Sequence, residues 1–234
     1  MTLFYCPTIA SATVLSEEES LHAVKVLRLQ SGDKIIVVDG MGGYYEAEIT
    51  LAHHKHCQFK VLNTITHYGK RNYKLHIAIA PTKNIERLEW FIEKTTEIGI
   101  DEITPVVCRF SERKIVKEDR LEKIIVSASK QSVKAYFPTL NPICTFDEFL
   151  KKQTATRKFI AHCYDEDKKL LSKEVNSRAD ILILIGPEGD FSKEEVEKAI
   201  SSGYIPVSLG ESRLRTETAG VVACHTVAIV NENS

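Results

Sequence analysis

Long apolar runs are missing from this sequence of 234 residues. The longest, 181–185 and 221–230, fall well short of the ~20 residues a helix needs to cross a bilayer, which excludes a helical membrane protein. The opening stretch MTLFYCPTIASATVLSEEES holds no basic region leading into an apolar one, so no secretory signal is expected and the cytoplasm is the expected compartment. No tract is low in complexity, and 43% hydrophobic residues are enough to build a core, which excludes disorder. Charge of one sign is lacking too: 31 Lys plus Arg face 32 Asp plus Glu, a formal net charge of −1.

Paired cysteine motifs are also absent. Cys6, Cys57, Cys108, Cys144, Cys163 and Cys224 include no C-x-x-C spacing and read as reduced thiols used as small apolar residues. His53, His54 and His56 beside Cys57 are metal-binding residue types, but on a strand adjacent residues point to opposite faces, so no metal is expected. There is no G-x-G-x-x-G and no G-x-x-x-x-G-K-[ST], which disfavours dinucleotide enzymes and P-loop NTPases. A G-x-S-x-G elbow is missing as well.

What is present divides into two styles. Residues 1–70 read as β-rich with one short helix, in which Ser16 is an N-cap closed by Glu19 as a capping box and Leu21, Val24 and Leu27 follow at helical spacing. A strand at 34–39, the glycine turn DGMGG, a strand at 44–50 and another at 58–65 predict a small barrel. The polar stretch 67–72 marks a boundary. From 73 to 234 strands and helices alternate: strands at 75–80, 103–107, 158–163, 181–185 and 206–209, helices at 84–98, 119–133 and 221–230, and capping boxes at Thr145/Glu148 and Ser192/Glu195. Wholly apolar strands belong to parallel sheets covered by helices on both faces.

Two glycine loops follow consecutive strand ends: GPEGDF at 186–191 and GESRLRTETAG at 210–220. In an open α/β sheet, ligands bind in the crevice outside the carboxyl ends of the strands. Glu188 and Arg215 place opposite charges in loops with apolar neighbours, so they either pair with each other or face a polar ligand. Net charge also averages over faces. Between residues 109 and 134 eight basic groups meet four acidic ones, which is either a solvated helix face or a phosphate-contacting edge.

Four blocks in order, ERLEWFIEKTTEIGIDEITPV, KQSVKAYFP, ILIGPEGDFSKEEVEKA and VSLGESRLRTETA, resemble the SPOUT-class RNA methyltransferases, and within them the RsmE-type 16S ribosomal RNA uridine-N3 methyltransferases. HAVKVLRLQSGDKIIVVDGMGGYYEAEI resembles the PUA-like domain of that family. The resemblance implies an α/β fold: a C-terminal SPOUT domain at 73–234 with a deep trefoil knot and a mainly parallel sheet, preceded by a PUA-like RNA-binding β-barrel at 1–70. It further implies S-adenosylmethionine as cofactor, a homodimer, and 16S ribosomal RNA or the small ribosomal subunit as partner. The cofactor loops map onto Ile185, Gly186, Glu188 and Gly189, then Leu209 and Gly210, then Leu214, Arg215 and Thr216, with Pro81 and Thr82 at the first strand end. Two departures from the family pattern stand out. Asp190 occupies a position where the family usually has glycine, and Lys130 and Lys134 flank the QS in place of an acidic residue and an arginine.

Methyl transfer to a uracil nitrogen needs alignment, a place for the imide proton and positive potential around the uracil oxygens. Arg215 is the candidate for stabilising the uracil anion or orienting the cofactor carboxylate; Glu217 and Glu188 are the candidates for proton acceptor. Glu217 reads equally as a carboxylate favoured by a helix N-terminus. Lys25, Arg28, Arg109, Arg113, Gln131 and Lys134 are the candidate RNA contacts. Tyr136 and Phe137 read either as base-stacking or as core residues. Two alternatives remain open: a SPOUT enzyme acting on another RNA or base, and a non-catalytic RNA-binding protein.

Overall fold

The computed structural model describes residues 2–152, 154–165 and 167–232, and they fall into two compact units. The first is Met1–Lys70 together with Val126–Phe137; the second is Arg71–Ile125 together with Pro138–Ser234.

In the first unit, β1 (Leu3–Tyr5) lies parallel to β2 (Lys34–Val38), and β2, β3 (Tyr44–Leu51) and β4 (Gln58–Ile65) form an antiparallel meander. The result is a sheet of four strands in the order β1-β2-β3-β4. Alternation along the strands puts Ile35, Val37, Ala47, Ile49 and Phe59 on one buried face, over Phe4 and Cys57. Helix α1 (Glu17–Leu21) starts where Ser16 Oγ accepts the Glu19 amide, but the expected capping box is only half made. The Glu19 carboxylate turns instead to Lys130 Nζ, 2.5 Å away. After α1 the chain widens into a π-helical turn, His22–Val26.

The segment 126–137, which the sequence gives no reason to detach from its neighbours, belongs to this unit for a packing reason. Ala135 is buried with Leu3, Ile36 and Val38 on the other face of the small sheet, and the Phe137 ring packs against Tyr5 at a tilt of 33°, with centroids 4.7 Å apart. Tyr136 donates or accepts at His67 Nδ1 over 3.0 Å, so both aromatics serve packing within the unit.

The second unit is built on β5 (Lys74–Ile79), β6 (Glu102–Val107), β7 (Thr139–Leu140), β8 (Cys144–Thr145), β9 (Arg157–Ala161), β10 (Lys169–Leu170), β11 (Asp180–Ile185) and β12 (Ile205–Ser208). The order is β10-β12-β9-β11-β5-β6-β7, with β8 also on β6, and every ladder is parallel. The central strand β11 is buried on both sides, as its DILILI sequence requires. Leu182 and Leu184 pack with Ala78, Ala80 and Ile160 against α4 (Phe146–Lys151) and α6 (Lys193–Ser201), whose Thr145/Glu148 and Ser192/Glu195 capping boxes are both complete.

The opposite face carries Ile77, Ile79 and Ile183 beneath α2 (Ile85–Ile98) and α7 (Thr216–Glu232). Helix α2 ends at Gly99, whose φ of +124° suits only glycine. Helix α7 begins five residues earlier than the glycine at 220 suggests. Gly220 lies inside the helix for a steric reason: a Cβ there would come within 2.5 Å of Phe91 and 3.2 Å of Ile79, so its absence lets α7 settle on α2 and β5. The remaining helices are α3 (Glu118–Gln131), whose second half belongs to the first unit, and α5 (Leu171–Glu174). No described helix is long and apolar enough to cross a membrane.

Candidate functional site at the carboxyl ends of the sheet

Three strands, β9, β11 and β12, release their chains side by side at the carboxyl edge of the parallel sheet. The loop after β11 is tightly made. A Cβ on Gly186 would lie 3.0 Å from the Phe191 ring, and Asp190, with φ of +66°, closes the turn by donating its amide to Pro187 O. The Asp190 carboxylate offsets its left-handed backbone by accepting two amides, Cys163 N–H at 2.7 Å and Phe191 N–H at 2.8 Å. It therefore ties the loop after β9 to the loop after β11. The loop after β12 is tied in turn by the first turn of α7, where the Thr216 hydroxyl donates to Gly186 O over 3.1 Å.

These loops enclose a cavity of about 290 Å³ lined by residues that include Ile185, Gly186, Glu188, Leu214, Arg215 and Thr216. A neighbouring cavity of about 750 Å³ is lined by His162, Cys163, Tyr164, Asp165, Lys168, Leu209 and Gly210 among others. The two share Ala161, Cys163, Asp190, Arg213, Leu214 and Ala219, so they adjoin as one space lined by both apolar and polar residues. Lys168 shapes the larger part by donating to the carbonyls of His162 and Tyr164. Partial burial, with the Asp190 carboxylate adding to it, pushes the Cys163 thiol above its ordinary value, so it stays protonated at neutral pH.

Of the residues singled out from sequence, six line the smaller part and three the larger, Leu214 being common to both. Glu188 and Arg215 do not pair. Glu188 Oε1 accepts the Lys83 amide at 2.9 Å, while the Arg215 guanidinium is exposed and has no side-chain partner among the described residues. Gly189 sits between two lining residues and packs against Phe110. Pro81 and Thr82 line neither cavity: both are buried, and Thr82 spends its hydroxyl on Asn84 O and its carbonyl on Arg113. Glu217 also stands outside. It is 7% exposed, its Oε1 lies 3.9 Å from Arg87 Nε on α2, and its buried Oε2 has no partner.

The candidate RNA contacts divide by unit. In the first, Lys25 on the π-helical turn, Arg28 with φ of +57° and Gln131 are exposed, and Lys134 is half-buried. In the second, Arg109 is exposed, whereas Arg113 is committed to protein: its Nε and Nη2 donate to Thr82 O and Lys83 O at 3.1 and 2.8 Å. His53, His54 and His56 lie in the turn between β3 and β4 rather than on a strand, with the His53 and His56 rings stacked 3.7 Å apart. No cluster of three metal-ligating side chains occurs among the described residues.

Sequence reasoning missed the 161–168 loop, Asp190 as a wall residue, and Arg213. The first could have been found, because 161–164 closes a predicted strand beside the other two.

A separate hollow of about 630 Å³ lies at the amino ends of β5, β6 and β11 and is lined by His76, Glu102, Thr104 and Asn141 among others. These four side chains are bonded to one another. Thr104 Oγ1 is 2.7 Å from His76 Nε2 and accepts Asn141 Nδ2 at 2.8 Å, and Asn141 also donates to Glu102 at 2.6 Å. Burial lowers the His76 pKa, with Glu102 opposing.

Comparison with known proteins gives the family. Residues 69–228 match the RNA methyltransferase domain family and residues 15–62 the RNA methyltransferase PUA domain family. Ribosomal RNA small subunit methyltransferase E of Synechocystis sp. is 32% identical over 225 residues, covering 92% of this chain and 72% of that protein. Among solved structures, a probable rRNA-methyltransferase from Porphyromonas gingivalis is 41% identical with a TM-score of 0.94, covering 100% of this chain and 99% of the other. Ribosomal RNA small subunit methyltransferase E from Neisseria gonorrhoeae, bound to S-adenosyl methionine, is 25% identical with a TM-score of 0.88, covering 99% of this chain and 98% of the other.

Proposed function

The chain belongs to the ribosomal RNA small subunit methyltransferase E family, and from that premise we propose that it methylates N3 of a uridine in 16S ribosomal RNA with S-adenosylmethionine as methyl donor. The observation that carries the assignment of the site is the pair of adjoining cavities at the carboxyl ends of β9, β11 and β12, lined by an exposed Arg215 whose guanidinium has no side-chain partner among the described residues.

The residues present fit the cofactor. Ala161, Leu209, Leu214 and Ala219 offer apolar walls for a purine, and Gly210, with φ of +129° and nothing within 4 Å of a Cβ, leaves the backbone open to close approach. A carboxylate is suited by Arg215 and by the N-terminus of α7, whose first turn lines the cavity. S-adenosylmethionine, when bound, supplies a methyl group on a sulfonium centre.

The protein's own part is electrostatic and positional. Arg215 places a cation where the uracil oxygens gain charge as the imide proton leaves, or holds the cofactor carboxylate in place. Glu188 is the better placed of the two carboxylates to take that proton, because it lines the cavity while Glu217 faces Arg87. Glu188 keeps Oε2 for this role, since Oε1 is held by Lys83 N–H. Lys25, Arg28, Arg109, Gln131 and Lys134 are assigned to RNA binding, and Arg113 to holding the loop at 82–83.

We read the C-terminal region as the trefoil knot of its family, supported by the tie between Thr216 and Gly186 O and by the return of α7 from β12 across to β5. We likewise read the four-stranded N-terminal sheet as the PUA-like barrel of that family. A homodimer is proposed on the exposed apolar surface of α2 and α7, where Trp90 and Ile229 are each 42% exposed. The small ribosomal subunit as partner places the protein in the cytoplasm. Incubating undermethylated small subunits with labelled cofactor and mapping the modified nucleoside should give one labelled N3-methyluridine. Label on another nucleoside, or none, would sink the proposal.

A further inference from the structure

The loop joining β6 to α3, residues 108–117, is anchored from several sides yet holds an aromatic ring out in water. Cys108 N–H donates to Ser111 Oγ at 3.0 Å and Ser111 N–H to Cys108 O at 3.1 Å, which closes a tight turn around Arg109 and Phe110. Arg109 N–H donates to Glu195 Oε1 at 2.8 Å, and Arg113 clamps the 82–83 carbonyls. Between these anchors Phe110 stays 47% exposed. Isolated exposed apolar residues are ordinary, so exposure alone means little.

Position and surroundings make the difference. A Cβ on Gly189 would lie 3.0 Å from Phe110 Cβ, so the ring stands against the loop whose Glu188 and Asp190 line the cofactor cavity. Further along the same loop opens a hollow of about 410 Å³ lined by Lys83, Glu112, Arg113, Lys114 and Ile115. Lys83 Nζ lies 2.9 Å from the Glu112 carboxylate with its side chain still 71% exposed, and Ile115 is 76% exposed. An exposed aromatic ring on a loop that also carries Lys114, with Lys83 paired only to a solvent-exposed carboxylate, matches one nucleotide of single-stranded RNA: the base stacks on the ring, and the flanking phosphates meet Lys114 and, in exchange for Glu112, Lys83. A base methylated on its pairing edge must be taken out of its helix, and an extruded base needs a surface to lie on.

We propose that Phe110 is the stacking platform for the RNA nucleotide delivered to the cofactor cavity, with Lys83 and Lys114 receiving its flanking phosphates. This rests on the methyltransferase reading above. The test measures methyl transfer to undermethylated 16S ribosomal RNA, RNA affinity by filter binding, and cofactor affinity by calorimetry, on the full chain. Phe110→Ala should raise both KM for RNA and the RNA dissociation constant roughly 5- to 100-fold. It should leave S-adenosylmethionine affinity within about twofold of the wild type, because a ring that only stacks on RNA makes no contribution to the cofactor site. Phe110→Trp should restore RNA binding, and Phe110→Leu, with bulk but no ring face, should not.

An active wild type beside a Phe110→Ala variant of unchanged KM and RNA affinity overturns the proposal, as does full rescue by leucine. Loss of cofactor affinity in Phe110→Ala equal to the loss of RNA affinity overturns it too, because the ring would then only pack the Gly189 loop. A wild type that binds RNA but transfers no methyl overturns the function assignment instead, and the binding arm still decides the role of Phe110.

Discussion

The two ends of the parallel sheet each carry a hollow of several hundred Å³, and they differ in what their polar groups are doing. At the amino ends the inner cluster of His76, Thr104, Asn141 and Glu102 is joined by 2.6–2.8 Å bonds, and Lys74, Lys152 and Asp180 stand exposed among the other lining residues. At the carboxyl ends the hydrogen-bonding capacity of the side chains goes into fixing loops, through Asp190, Thr216 and Glu188, and the Arg215 guanidinium is left over. The lesson is that volume does not mark a binding site; a rigid frame with unspent valence does.

The sharpest way to break this contrast is to remove the unspent group. Arg215→Ala should lower kcat for methyl transfer by about 100-fold or more, the scale of losing one transition-state donor, with an unchanged thermal midpoint. Near-normal turnover would place the chemistry elsewhere. Next in size is the seating of α7. Gly220→Val should destabilise the second unit by about 1–3 kcal/mol by forcing Phe91 and Ile79 aside, and denaturant titration should show it; an unchanged midpoint would mean that the helix floats.

Thr104→Val tests the other end. It removes the partner of His76 Nε2 and one of the two bonds made by Asn141 Nδ2, and should cost about 1–3 kcal/mol of stability, yet leave kcat and cofactor affinity as they were. A fall in activity without a fall in stability would give the amino-end hollow a function. The smallest effect is on pH. Because burial lowers the His76 pKa, the unfolded chain takes up its proton first as pH drops below about 6.5. The stabilisation is therefore full above that value and is lost as pH falls through the lower folded value. Stability curves from pH 5 to 7.5 should be less steep for His76→Asn than for the wild type; equal slopes would refute the assignment.

Much of this frame could be read from the residues. The parallel sheet was legible because each strand is a short apolar block closed by turn residues, and two of the three site loops carried glycines that announce close approach. The third, at 161–168, carries no glycine and is recognisable only by its place beside the others. Residues 216–220 read as loop because TETAG has few apolar positions, whereas Gly220 answers to Phe91 and Ile79, which lie more than a hundred residues earlier in the chain. Pro81 and Thr82 sit at a strand end as expected, but a buried hydroxyl takes the nearest carbonyl, and pattern alone does not say which. The fate of Glu19 was equally remote, since Lys130 lies on α3.

Val126–Phe137 stands far along the chain from the sheet it completes, and this has a consequence for how the gene can be divided. A fragment ending at residue 70 would lack the partner of Glu19 and the cover of Leu3, Ile36 and Val38, so it should associate or misfold rather than yield a soluble RNA-binding module. The reciprocal fragment would carry Ala135 and Phe137 with nowhere to lay them. The recognition part and the chemical part cannot be traded between relatives by a single crossover; a working exchange must transplant two pieces of sequence together.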